Sequence, residues 1–137
     1  MQRYTMGLRV QSASIDVNGH VNNVEFLRWI QEIAVAHSAH VGMAREQYDA
    51  LRSTFVVRRH EIDYLRAARE GEQLTLTTWV ESFRRIECER ITEIADAGGA
   101  LVVRATTRWI FVSTDTGRPT RIPPDVRARF GDSSANV

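Results

Sequence analysis

The chain contains no lysine, since all 18 of its basic residues are arginine. Enzymes that work through a Schiff base on a lysine amine, including those that use pyridoxal phosphate, are therefore excluded. The single cysteine, Cys88, leaves no partner for an internal disulfide and too few thiols for a multi-cysteine zinc or iron–sulfur site. A lone thiol fits a reducing compartment, so we expect a cytoplasmic protein.

The sequence also has little net charge and no long apolar run. The 18 basic residues face 17 acidic ones, for a net charge of +1, and they are interspersed rather than clustered. We therefore expect no nucleic-acid partner. No stretch approaches the roughly 18 apolar residues of a membrane span, and the first ten residues, MQRYTMGLRV, lack a signal-like apolar segment. We expect no membrane association.

The 137 residues suffice for one domain, and 43% hydrophobic with 26% charged residues is an ordinary globular composition. This composition excludes a disordered chain, a collagen and a disulfide scaffold. We expect a single domain over residues 1–131 and a flexible, serine-containing tail over residues 132–137.

Hydrophobic spacing predicts one strand followed by one long helix. Met6, Leu8 and Val10 alternate with polar residues or glycine, as in a half-buried strand. From Asn22 to about Val41, apolar residues recur every three or four positions, which predicts a helix. We expect Asn22 and Glu25 to form a capping box at its start and Gly42 to stop it.

Four further segments alternate with period two and are separated by turn residues. They run from Phe55 to Leu65, with a phase change that indicates a bulge, and then over residues 74–80, 86–94 and 101–111. One more helical turn is expected near residues 45–53, and a short helix after Pro123. The short turns favour antiparallel pairing, so we predict an α+β domain with one long helix packed on a five-stranded sheet.

The densest group of polar residues lies where the first strand ends and the helix begins. Residues 16–23 read DVNGHVNN. The free N–H groups of a helix N-terminus can stabilise an oxyanion. The Asn18-Gly19 turn can bring the Asp16 carboxylate over that terminus as a nucleophile or as a base for water. The alternative is structural, with a simple turn, Asn22 as a cap and Asp16 as a solvated loop acid.

The run DVNGHVNNVEFLRW resembles the D-x-x-G-H-V-N-N-x-x-[YF]-L-x-[WF] signature of the 4-hydroxybenzoyl-CoA thioesterase family, particularly its branch of bacterial long-chain acyl-CoA thioesterases. Two later blocks support the resemblance. The first comprises residues 55–57, 62–66 and 71–72, which resemble the second strand and turn of that family. The second is Asp115 to Pro119, which resembles the end of its last long strand.

The resemblance implies a hotdog fold, in which a curled antiparallel sheet wraps the long helix and two subunits join their sheets edge to edge. We therefore expect a homodimer or homotetramer. By position, Asp16 matches the catalytic carboxylate of the family, and Asn23 the residue whose backbone N–H polarises the thioester carbonyl. His20 also falls on a motif position and is a third candidate catalytic residue. The resemblance implies neither a metal nor another cofactor.

The predicted activity is hydrolysis of an acyl-CoA, or acyl-carrier-protein, thioester to a free acid. Candidate substrate-binding residues are Gly19, Asn22, Phe26 and Ile30, with Phe26 standing where tyrosine is common in the family. We expect medium or long fatty acyl groups, or aryl groups, in an apolar channel. The residues expected to line it are Phe26, Leu27, Ile30, Ile33, Val57, Trp79, Trp109 and Phe111, none of which supplies a charge for an ionised acyl tail.

Two other functions stay open. A hotdog hydratase or dehydratase would pair D-x-N with a histidine, but its histidine lies one residue further on, after a proline that this sequence lacks. A non-catalytic acyl-CoA-binding module would keep the pocket and dispense with Asp16. Other candidates are weaker, because His37, His40, His60 and Asp63 form no coherent metal-ligand set. Cys88 is expected in the core, and Glu25 and Glu32 on the helix surface.

Overall fold

The computed structural model describes residues 2–132. Over these residues the chain forms two edge strands, three central strands, one long helix and two short ones. In order these are β1 (Tyr4–Arg9), a 3-10 turn (Ser12–Ser14), α1 (Asn23–His40), α2 (Arg45–Leu51), β2 (Ser53–Tyr64), β3 (Gln73–Phe83), β4 (Glu87–Ala95), β5 (Leu101–Ser113) and α3 (Pro124–Arg129). This order confirms the predicted α+β class and both predicted short helices.

All strand pairs are antiparallel, in the order β1-β3-β4-β5-β2, so β1 and β2 form the edges of one open sheet. The predicted bulge in β2 is present between Val57 and Arg59, and β3 carries a second between Val80 and Ser82. Bulges bend a strand and increase its twist, which helps the sheet to curve. The five-stranded hotdog arrangement is thus confirmed.

Helix α1 packs its apolar face on the sheet. Ile30 and Ile33 are buried in one core cluster with Leu74 and Ile94 of the sheet. The helix ends at the Val41 cap, followed by Gly42 with a φ of +88°, as its predicted role as a stop requires. Trp29 is also buried, and it meets the Phe26 ring edge-on at 5.4 Å.

A second core cluster lies near the C-terminal half of α1. Val126 of α3 and Phe130, just after that helix, pack with Phe111 of β5 and Met43 of the loop after α1. Of the predicted tail, Asp132 is ion-paired with Arg127 at 2.8 Å, and residues 133–137 lie outside the described part. Within residues 2–132, no helix is long and apolar enough to cross a bilayer.

Candidate active site

The loop between β1 and α1 folds back on itself at the predicted turn. The Asp16 N–H donates to the His20 carbonyl oxygen at 2.8 Å, and the Gly19 N–H to the Asp16 carbonyl oxygen at 3.1 Å. Gly19 has a φ of +79°, which strongly favours glycine. An isolated bridge between Ile15 and Val21 closes the base of the loop. Asp16 is thereby held beside the start of the helix.

The Asp16 carboxylate is half-buried, and one of its two oxygens orders the loop. Its Oδ1 accepts from the Asn18 N–H at 2.9 Å and the His20 N–H at 3.4 Å. The second oxygen, Oδ2, has no hydrogen-bond partner within residues 2–132. The carboxylate is therefore fixed by one oxygen while the other is free to meet a substrate or water.

The first turn of α1 leaves one backbone donor unused. The Asn22 N–H donates to the Ser14 carbonyl oxygen at 2.9 Å, and the Val24 N–H to the Asn22 Oδ1 at 2.9 Å. The Glu25 N–H donates to the Asn22 carbonyl oxygen at 2.9 Å. The N–H of Asn23 has no partner within residues 2–132. A free N–H at a helix N-terminus is a donor ready for a developing oxyanion.

The predicted capping box is wrong in its details, although Asn22 is the cap. The Asn22 side chain accepts from the Val24 N–H rather than from the Glu25 N–H. The Asn22 N–H donates to the Ser14 carbonyl oxygen rather than to the Glu25 side chain. The Glu25 carboxylate instead accepts from the Ser14 hydroxyl at 3.0 Å and from Arg28 at 2.7 Å, and the hydrogen bond from Arg28 lowers its pKa. Ser14 therefore ties the loop to the helix, a role that local sequence does not indicate.

The segment between β2 and β3, which a salt-bridge network orders, supports this junction. The Val21 N–H donates to the Ala68 carbonyl oxygen at 2.8 Å, so the segment after β2 holds the loop. Arg66 orders that segment, with Nη2 at 2.6 Å from Glu72 and 2.9 Å from Asp96. The hydrogen bond from Arg66 lowers the pKa of each carboxyl.

The remaining sequence-predicted residues fall in two environments. His20 is half-buried and Gly19 exposed, both in the Asp16 loop. Phe26 and Ile30 are enclosed in the first core cluster. Their contact with a substrate stays a prediction.

A cavity of about 450 Å³ lies further along the molecule, between the second half of α1, α2 and the sheet. Its lining is mostly apolar and includes Ala34, Phe55 and Val80. Of the eight channel residues predicted from sequence, only Trp109 lines it. Phe26, Ile30 and Ile33 fill the core instead, so the space lies about three helical turns beyond Asn23.

Sequence reasoning missed a buried cation in this cavity, Arg90 of β4, which is 4% exposed. Its Nη1 lies 2.9 Å from Nδ1 of His37 and donates to Thr78 Oγ1 at 3.1 Å. Burial, followed by the charge of Arg90, lowers the pKa of His37 to about 4, so this imidazole is neutral at neutral pH and its Nδ1 accepts. The signal was present in the sequence, because Arg90 is in phase with Cys88 and Ile94 on the inward face of β4.

The surroundings of two weaker candidate catalytic residues, Cys88 and Glu32, indicate structural roles. Cys88 is buried, and burial raises the pKa of its thiol to about 12, so it is not a thiolate nucleophile. Glu32 lies at 3.4 Å from Arg28 on the outer face of α1. Within residues 2–132, no group of three or more His, Cys, Asp or Glu side chains is placed to hold a metal ion.

Comparison with known proteins identifies the fold. Two solved thioesterases share the fold. The DHNA-CoA thioesterase of Staphylococcus aureus superposes with a TM-score of 0.87 at 20% identity, over 98% of this chain and 93% of that one. A mutant 4-hydroxybenzoyl-CoA thioesterase bound to 4-hydroxybenzoyl-CoA superposes with a TM-score of 0.88 at 18% identity, over 96% of this chain and 100% of that one. The molecule therefore has the hotdog fold.

The family is shown by sequence. The model of the acyl-ACP thioesterase N-terminal domain matches residues 1–130, so the chain belongs to that family. An uncharacterised protein of Mycobacterium tuberculosis is 28% identical over 134 residues, which are 97% of this chain and 51% of that protein. The chloroplastic oleoyl-acyl carrier protein thioesterase 2 of Arabidopsis thaliana is 25% identical over 128 residues, 88% of this chain and 35% of that protein. The chain thus spans about half the length of the first relative and about a third of the second.

Proposed function

We propose that this chain is a thioester hydrolase, which cleaves the acyl thioester of CoA or of acyl carrier protein to a free acid and a thiol. One observation carries the proposal: a free backbone donor, the Asn23 N–H, and a free carboxylate oxygen, Asp16 Oδ2, belong to the same short loop–helix junction. Membership of a thioesterase family supports hydrolysis over the hydratase and the non-catalytic alternatives.

In this mechanism the thioester carbonyl oxygen accepts from the Asn23 N–H, which stabilises the negative charge that develops on attack. A well-placed donor of this kind contributes roughly 3–4 kcal/mol to the transition state. Asp16 either attacks the carbonyl carbon, giving an anhydride that water opens, or removes a proton from the attacking water. On either route the C–S bond breaks and the thiolate leaves, to be protonated as the free thiol.

The thiol carrier is proposed from relatives. The Arabidopsis relative acts, by its name, on oleoyl-acyl carrier protein, whereas the two solved structures are named for CoA thioesters. The motif at residues 16–29 resembles the 4-hydroxybenzoyl-CoA family and its long-chain branch, which supports CoA. We expect a reducing, cytoplasmic setting for the free thiol of Cys88.

The acyl group is proposed to be medium or long fatty acyl, or aryl. The cavity beside α1 supports this, because its volume of about 450 Å³ is that of a small-molecule site and most of its lining is apolar. Ala34, where the cavity begins on α1, lies about 16 Å along the helix axis from Asn23. A single copy can connect the two points only through an extended acyl chain, whereas a dimer could place the cavity of one copy beside the junction of the other.

The proposed assembly is a homodimer or a homotetramer. β2 is a twelve-residue edge strand. Large hydrophobic side chains are exposed on it at Val56 and just beyond its end at Leu65. A long unpaired edge of this kind is a template for pairing with a second copy.

A thiol-release assay tests the function. Wild-type protein is incubated with acetyl-, hexanoyl-, decanoyl-, palmitoyl- and benzoyl-CoA and with an enoyl-CoA, and kcat/KM is measured for each. We expect kcat/KM to rise several-fold per added methylene until the site is full, since each buried CH₂ contributes about 0.8 kcal/mol. Hydration of the enoyl-CoA without release of thiol would identify a hydratase, and a maximum at acetyl-CoA would contradict the proposed acyl group.

A further inference from the structure

Arg90 is a buried cation that lacks a buried anion. Within residues 2–132, no carboxylate lies within ion-pair distance of its guanidinium. Its two hydrogen-bond partners, His37 and Thr78, are both neutral, and the Phe130 ring lies 5.8 Å from the guanidinium carbon. A buried charge without an opposite charge is costly. An anion that binds beside Arg90 would therefore be stabilised by this charge.

The unused donors of Arg90 belong to the side chain that lines the cavity. Nη1 makes both hydrogen bonds of this side chain, which leaves Nε and Nη2 without a partner within residues 2–132. Neither Nε nor Nη2 of Arg90 is fully enclosed by protein, whereas the unpartnered Nε2 of His37 is. The two nitrogens are the edge of a guanidinium that fits a carboxylate in a bidentate manner.

The rest of the cavity is suited to an apolar stem. Ala34, Val80 and Phe83 line it, while Arg45 and Asp49 mark an exposed end. We infer that this cavity binds a carboxylate carried on an apolar chain, with Arg90 as the residue that recognises the carboxylate. This inference does not require the proposed hydrolase activity, because binding can be measured on its own.

The chemistry of the site favours a carboxylate over a phosphate. A carboxylate carries a single charge, which Arg90 alone can neutralise, and no second cation among residues 2–132 is buried beside it. The carboxylate has two possible sources, a free fatty acid or the far end of an ω-carboxyacyl thioester. Burial lowers the pKa of Arg90 to about 10, so the guanidinium is charged at neutral pH and can bind either one.

Isothermal titration with decanoate and 1-decanol tests the inference, because these probes share a chain and differ in charge. We expect wild-type protein to bind decanoate roughly 10- to 100-fold more tightly than decanol, the range for a hydrogen bond to a charged group. Arg90→Met should remove this preference. Arg121→Met, which removes an exposed arginine that does not line the cavity, should keep it.

A second variant keeps the test valid if Arg90→Met fails to fold. Ala39→Phe places a ring at an exposed helix position on the cavity wall and should weaken the binding of both probes. Equal affinity of the wild type for decanoate and decanol would overturn the inference. So would an unchanged preference in folded Arg90→Met, or unchanged decanoate binding in Ala39→Phe, because the anion would then bind elsewhere.

Hydrolysis assays distinguish the two sources once binding is shown. Faster thiol release from sebacoyl-CoA than from decanoyl-CoA would identify the carboxylate as the end of the acyl substrate. Faster release from decanoyl-CoA, with inhibition by decanoate, would identify a free acid. Absence of hydrolysis with either thioester would contradict the proposed function, while the binding result with decanoate would still stand.

Discussion

Asn23 is expected to act through its backbone rather than its side chain, which permits a direct test. Proline at the first position of a helix is well tolerated, and Asn22 already has the extended conformation, φ −63° and ψ 135°, that a following proline requires. Asn23→Pro should therefore keep the fold, remove the N–H and lower kcat for decanoyl-CoA roughly 10²- to 10³-fold.

The matched control is Asn23→Ala, which removes the side chain and keeps the N–H. Its kcat should stay near the wild-type value. If both variants lose activity equally, the side chain of Asn23 is required and the backbone donor is not the oxyanion site.

His37 predicts how stability depends on pH. Its pKa is lowered from 6.5 to about 4, first by burial and then by the charges of Arg90 and His40. The unfolded chain therefore binds more protons than the folded one below pH 6.5, and stability present above that pH is lost as the pH falls towards 4. Urea titrations should show the free energy of unfolding falling by roughly 2–3 kcal/mol between pH 6.5 and 4.5.

His37→Gln keeps a hydrogen-bond acceptor for Arg90 but cannot titrate, so its pH profile should be flatter over this range. His60, whose pKa burial also lowers, contributes a smaller slope that the variant retains. A slope unchanged in His37→Gln would assign the effect to other groups.

At the level of the structural elements, the segment between β2 and β3 positions the loop that carries Asp16. Arg66 holds this segment through Glu72 and Asp96, and the Ala68 carbonyl oxygen of the same segment accepts from Val21. Arg66→Met would leave two carboxylates close together without their cation. We expect the thermal unfolding midpoint to fall by roughly 3–8 °C, with a loss of thioester hydrolysis.

Arg52→Met is the control for Arg66→Met. It breaks an equally short pair, with Asp115 at 2.8 Å, but both partners are largely exposed. An exposed pair contributes little, so the midpoint should hardly change. Equal shifts in the two variants would show that the Arg66 network is an ordinary surface feature.

The elements were largely predictable from local sequence, whereas the cavity was not. Strand alternation, the phase change before Arg59 and the stop at Gly42 are local signals, and the structure confirms them. The cap at Asn22 was also a local signal, but the Asn22 N–H donates to the Ser14 carbonyl oxygen across the loop instead of to Glu25. The Glu25 carboxylate accepts from the Ser14 hydroxyl. The environment of Arg90 depends on contacts between a strand and a distant helix, so its period-two position signalled burial without showing a cavity.

At the scale of the whole molecule, the open sheet is the feature that most needs a partner. β2 is long, lies at the edge and ends beside exposed apolar residues, whereas β1, at the other edge, has only six residues. We expect light scattering at micromolar concentration to show a dimer or a tetramer and no monomer. A 15.6 kDa species that hydrolyses acyl-CoA would contradict the proposed assembly and a site shared between copies.

If the loop–helix junction hydrolyses thioesters through Asp16, activity must depend on the charge of this carboxylate. Asp16→Asn keeps the size of the side chain and the Oδ1 acceptor that orders the loop, but removes the charge. Thiol release from decanoyl-CoA should fall at least about 100-fold. The unfolding midpoint should stay unchanged, and Asp125→Asn, at an exposed acid of α3, should retain full activity. Near wild-type kcat in folded Asp16→Asn would contradict the account.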